Sequence, residues 1–220
     1  DSLIPRESGD PTNSLPLIAL HHQKTRARIC FVVSAPVTAV VFLNSHIDYL
    51  SDNFDVTVVC KFDGSQDKIS DNAQLKNCQI SRKISPAADL KAVYNLARFL
   101  KEGDFQIVQS VTPKAGLLTA VAGWLAKIPI RIHWFTGQVW VLKSGIRRSF
   151  FRGLDRVIVM LNTSVLVDSL SQRKFLIEQR VIKSKNSTVI GRGSIAGVNT
   201  KRFCPNPEMR AATRTELSIL

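Results

Sequence analysis

No stretch of this chain is long and apolar enough to cross a bilayer. The longest apolar run, residues 115–126, falls short of the roughly 20 residues that a spanning helix needs. The four cysteines, Cys30, Cys60, Cys78 and Cys204, form no CxxC pair and have no histidine cluster beside them. That spacing argues against a zinc site or a disulfide framework and for a reducing, cytoplasmic compartment. Pro11, Asn13, Ser14 and Pro16 break up the N-terminus, which leaves no apolar core of a signal peptide there. Three tryptophans and two tyrosines are few. No DNA- or RNA-binding motif accompanies them, so nucleic acid is not expected as a partner. The first residue is not methionine, and the natural start is expected upstream.

Positive charge, in contrast, is plentiful. Lysine and arginine number 30 against 17 acidic residues, a net charge of +13. Such a surface calls for an anionic partner, either a phosphorylated small molecule or an anionic membrane face. With 45% hydrophobic and 21% charged residues among 220, the chain otherwise has the balance of a globular protein with a sizeable core.

Residues 1–26 mix Pro, Ser, Asp and His without periodicity and read as a loose leader. Beyond them, apolar runs predict strands at 28–34, 55–60, 105–110, 128–134, 164–168 and 187–190, with a short one at 78–82. Helical spacing covers 40–53, 86–103, 114–127, 143–161 and 169–180, and a last helix begins at Pro207. Residues 61–77 are polar and read as loop. The alternation predicts an α/β protein, a Rossmann-like parallel sheet with helices on both faces.

In open α/β sheets, ligands bind in the crevice beyond the carboxyl ends of the strands. Residues 110–116, SVTPKAG, place hydroxyls, Lys114 and a small-residue helix start at such an end. Free N–H groups of a helix N-terminus beside a lysine suit a phosphate or a sugar hydroxyl. The alternative is an ordinary helix start, capped by Thr112 with Pro113 at the first position. Thr136, Gly137 and Gln138 follow the next buried strand, as a binding turn or a plain strand-to-helix turn. His133, near that strand's end, reads as a packed core residue rather than a catalyst. Residues 168–173, DSLSQR, are a second hydroxyl-bearing loop or an N-cap. Gly191, Gly193 and Gly197 fail the GxGxxG order, and the first strand-to-helix junction, SAPVT at 34–38, has no glycine. Both facts count against a standard NAD-binding domain. Lys143, Arg147, Arg148, Arg152 and Arg156 interleave with Ile146, Phe150, Phe151 and Leu154. They form a basic amphipathic helix, either a solvated face or a docking surface for an anionic bilayer.

Taken in order, VTPKAG with its apolar helix, IRIHWFTGQVW, LVDSLSQRKFLI and GRGSIAGVNTKRF resemble the N-terminal half of glycosyltransferase family 4 enzymes of the bacterial surface-polysaccharide type, over residues 28–217. The resemblance implies a GT-B architecture, with an acceptor-side Rossmann-like domain at 27–205 and the start of an interdomain linker at 206–220. A donor-binding domain is expected beyond, without which the chain is expected to be inactive alone. It further implies metal-independent, retaining transfer of a hexosyl group from a nucleotide sugar to a lipid-linked saccharide acceptor. No cofactor is implied other than that donor substrate, and the setting is the inner face of the cytoplasmic membrane. The substrate-binding residues would be Thr112, Lys114, Gly116, Thr136, Gly137 and Gln138, joined by Ser171, Arg173 and Gly193. The membrane contact would be Lys143, Arg147, Arg148 and Arg152. No catalytic residue is assigned: Thr136 stands where many relatives carry a histidine, and Asn199 where they carry an aspartate. The rival readings are a non-catalytic binding module derived from such a domain and a nucleotide-dependent oxidoreductase.

Overall fold

The computed structural model describes residues 26–64, 66–80, 85–201 and 203–219; nearly all of the expected leader lies outside them. The elements in chain order are β1 (Ala27–Val32), α1 (Pro36–Thr38), α2 (Asn44–Ser51), β2 (Phe54–Cys60), β3 (Ala73–Asn77), α3 (Pro86–Glu102) and β4 (Ile107–Ser110). There follow α4 (Pro113–Leu125), β5 (Ile130–Phe135), α5 (Gly145–Leu161), β6 (Ser164–Val167), α6 (Leu170–Glu178), β7 (Ser187–Thr188) and α7 (Pro207–Glu216). A π-helical turn, Ala39–Leu43, joins α1 to α2.

All seven strands pair in parallel, in the order β3-β2-β1-β4-β5-β6-β7. The expected α/β sheet is therefore present. β1 is apolar on both faces because it sits between β2 and β4. Its Cys30 and Val32 meet Leu96 and Leu100 of α3 and Ala115 and Leu118 of α4. Its Ile29 and Phe31 meet Leu43 and Ile47 on the other face. Farther along the sheet, Phe135, Val165 and Val167 join Val159 of α5 and Leu176 of α6. The register Val32↔Ser110↔His133↔Val165 puts this third cluster on the α3–α4 face.

Two expectations are corrected at the sheet edge. Residues 61–77 are not all loop, because Gln66–Lys68 make a 3₁₀ turn and Ala73–Asn77 pair with β2. The strand expected at 78–82 is displaced to these earlier residues, and positions 81 and 82 lie outside the described residues. β3 is an edge strand with four of its five residues exposed, so its polar composition hid it.

Strand order reverses between β1 and β4, because the chain builds outward from β1 in one direction and then returns to its other side. The connections that leave these two strands run to opposite faces of the sheet, the arrangement that opens a crevice beyond the carboxyl ends of the strands.

Candidate functional site

At the switch point Thr112 stands just before α4 with Pro113 at the first helical position. Its hydroxyl does not cap the helix. It donates instead to Ser34 Oγ at 3.1 Å, across the gap between the β4 and β1 ends. Thr136 and Gly137, following β5, are exposed on the same edge, and Gln138 beside them is half-buried. Gln138 Oε1 accepts from Gln172 Nε2 at 3.4 Å, while Gln138 Nε2 is buried with no hydrogen-bond partner. Gln172 Oε1 in turn accepts from the Asp168 backbone N–H at 2.9 Å. These contacts tie the turn after β5 to the end of β6.

Asp168 is the centre of this edge. Trp134 Nε1 donates to its Oδ1 at 2.9 Å, and the Ile195 backbone N–H also bonds to the carboxylate. Partial burial raises its pKa despite those donors. Gly193 packs directly on the Asp168 carbonyl: a Cβ there would lie 2.2 Å from that oxygen, and its φ is +99°. Ser194 N donates to the same carbonyl at 2.7 Å. His46, from α2, donates Nε2–H to Ile195 O at 2.5 Å and sets its ring edge against Trp134 at 5.6 Å. Ser169, not Asp168, caps α6, accepting from Gln172 N, and its hydroxyl meets that of exposed Ser171 at 3.0 Å.

Thus Thr112, Thr136, Gly137, Gln138, Ser171 and Gly193 gather at the carboxyl edge. Three other expected site residues have structural partners. Lys114 Nζ pairs with Asp89 Oδ1 of α3 at 2.8 Å. Gly116 lies against the His133 ring, where a Cβ would come within 2.4 Å of Cε1. Arg173 braces the β7 connection, donating from Nε to Ser187 O at 3.1 Å and from Nη2 to Ser184 O at 2.7 Å. His133 is a core residue as expected. It is buried, its Nδ1 lies 2.9 Å from Ser110 Oγ, and burial lowers its pKa to about 3.

The connection from β5 to α5 is anchored by Trp140, which is fully buried. Its Nε1 donates to Asp155 Oδ2 at 2.7 Å, and its ring stacks on Phe175 at 5.5 Å. Burial pushes the Asp155 carboxyl up to about 6, against the opposing pull of the indole donor. Arg148 lies 5.5 Å over the Trp140 ring, and both Arg148 and Arg152 reach Gln179 at 3.4 Å. These two arginines turn inward rather than outward.

His46, Trp134 and Asp168 had not been singled out as a group. They lie on three elements, and only the sheet register brings them together. The one available signal was an acidic residue immediately after a buried strand.

A family model described as a glycosyl transferase 4-like domain matches residues 48–193. The capsular polysaccharide biosynthesis glycosyltransferase CapM of Staphylococcus aureus is 29% identical over 167 residues, 75% of this chain and 43% of that protein. The UDP-Gal:alpha-D-GlcNAc-diphosphoundecaprenol alpha-1,3-galactosyltransferase of Escherichia coli is 24% identical over 160 residues, 70% of this chain and 40% of that protein. The chain thus spans less than half the length of these curated relatives. Among solved structures, Anabaena HepE in complex with UDP and glucose superposes with a TM-score of 0.60 at 16% identity, covering 87% of this chain and 50% of that one. At that identity the likeness is one of fold.

Proposed function

The chain belongs to the glycosyl transferase 4-like family, and from that premise we propose that it is the acceptor-side domain of a retaining hexosyltransferase. In that reaction an acceptor hydroxyl forms a bond to the anomeric carbon of a nucleotide sugar. The bond from that carbon to the nucleoside diphosphate breaks, and the hydroxyl proton is released. The acceptor is a lipid-linked saccharide, the transfer runs without a metal ion, and the domain works at the inner, anionic face of the cytoplasmic membrane.

The observation that carries this reading is the carboxyl edge itself. Thr112 and Ser34, Thr136 to Gln138, and Asp168 with Ser171 follow the carboxyl ends of β4, β1, β5 and β6 and supply that edge with hydroxyl, amide and carboxylate groups. The buried Gln138 Nε2 is a donor with no partner. Leaving such a donor unmet costs about 1–3 kcal/mol, and turning the amide outward to a sugar hydroxyl at the edge would remove that cost. Donor binding falls, on this reading, to the part of the relatives that the chain does not span. The 220 residues tested by themselves then bind acceptor and transfer little.

Titration calorimetry with a panel of soluble diphosphate-linked saccharides tests the proposal. Thr136→Val with Gln138→Leu should weaken binding at least about tenfold, the scale of one or two lost hydrogen bonds to a ligand. Arg173→Gln should lower stability and leave affinity nearly unchanged. No binding by the parent, or equal binding by the double variant, would overturn it.

A further inference from the structure

The segment from the β5 turn into α5 has a surface that the crevice does not explain. Leu142 is 98% exposed and Ile146 88%, and Val139, Val141 and Phe150 are exposed as well. Ile146 and Phe150 are one helical turn apart, with Leu142 just before the helix, so the three form a stripe. Residues 136–154 carry four cations and no carboxylate. Of the four, Arg147 is exposed, and Lys143 holds its Nζ 5.2 Å over the Phe151 ring. Apolar surface also continues inward from the stripe. Phe150 and Val139 line a cavity of about 450 Å³ between α4 and α5, together with Leu117, Phe151 and Leu154.

Single exposed apolar side chains need no explanation, but a contiguous set marks a contact surface. Here the set is flanked by cations, and the two carboxylates that line the cavity behind it are engaged, Asp89 with Lys114 and Asp155 with Trp140, which suits an interfacial element on anionic lipid. We infer that residues 139–150 form a wedge in which Leu142, Ile146 and Phe150 enter the acyl boundary of an anionic bilayer while Lys143 and Arg147 meet its phosphates. Arg148 and Arg152, expected from sequence to share that contact, hold the wedge to α6 through Gln179. The wedge and the turn of Thr136–Gln138 are two ends of one connection, pinned between them by buried Trp140 on Asp155 and Phe175. Membrane contact therefore sets the crevice beside the bilayer surface. The inference rests on the membrane-face reading above and assigns it to particular residues.

Co-sedimentation of the whole chain with vesicles of phosphatidylcholine, with and without phosphatidylglycerol, tests it. The parent should bind the anionic vesicles, and Leu142→Ser with Ile146→Ser should bind at least about tenfold less tightly. Both residues are exposed, so the native near-ultraviolet dichroism should persist. Lys143→Gln with Arg147→Gln should lose the preference for phosphatidylglycerol, and a retained preference would overturn the headgroup contact. Parent-like binding by the serine variant would overturn the wedge and leave the membrane-face reading standing. Absence of binding by the parent would overturn both.

Discussion

His133 and Asp155 titrate inside the protein with opposite consequences. The imidazole has an ordinary pKa of 6.5 and a folded value of about 3. Between those values the unfolded chain binds the extra proton, so this residue removes stability as the pH falls below 6.5. Asp155 goes from 3.8 to about 6 on folding, so the native state holds the proton and stability is lost as the pH rises through that range. Asp168, also raised, acts in the same sense as Asp155. The two effects oppose each other across the window they share. Asp155→Asn should therefore steepen the loss of stability on acidification from pH 6.5 to 4, and His133→Gln should flatten or invert it. Urea midpoints across that range are the measurement, and three parallel slopes would refute the assignment. At Gly193 the reason for glycine is double, a positive φ and the Asp168 carbonyl in the Cβ position. Gly193→Ala should cost about 1–3 kcal/mol, read as a lowered melting temperature.

Among the elements, the β5–α5 connection depends most on one side chain. Trp140→Phe keeps an aromatic ring against Phe175 but leaves the Asp155 carboxyl without its indole donor. The expected cost is about 1–3 kcal/mol. Trp140→Ala should cost about 3–5 kcal/mol, because a cavity is added; chemical denaturation distinguishes the two. Sequence periodicity located most of the elements, since helices such as α3 and strands such as β1 bury one stripe or both faces. It missed β3, whose residues AQLKN face solvent at an edge. Turn chemistry placed Thr136–Gln138 and Thr112 just beyond the ends of buried strands, which is where they lie. The structural contacts of Lys114, Gly116 and Arg173 were not legible in the sequence. Their partners Asp89, His133 and Ser187 belong to other elements, so loop composition alone carries no sign of them. The Trp134–Asp168 contact was hidden for the same reason.

At the scale of the whole molecule, the strands from β1 to β7 share one sheet, whereas α7 buries none of its residues. Ending the chain after residue 205 should leave the thermal midpoint within a few degrees, about the shift expected from less than 1 kcal/mol. A larger drop would show that α7 docks on the sheet. The strand order has a further consequence for the chain's history. A nascent polypeptide that has reached Asn77 has all of β3, β2 and β1, but the second edge of β1 stays unpaired until Ile107–Ser110 has been made. Through that interval the most apolar strand presents an open ladder, the kind of edge on which chains associate. Pairing across such a sequence separation is also slow. Refolding yield should therefore fall as protein concentration rises, and the step that decides it is the arrival of β4 beside β1.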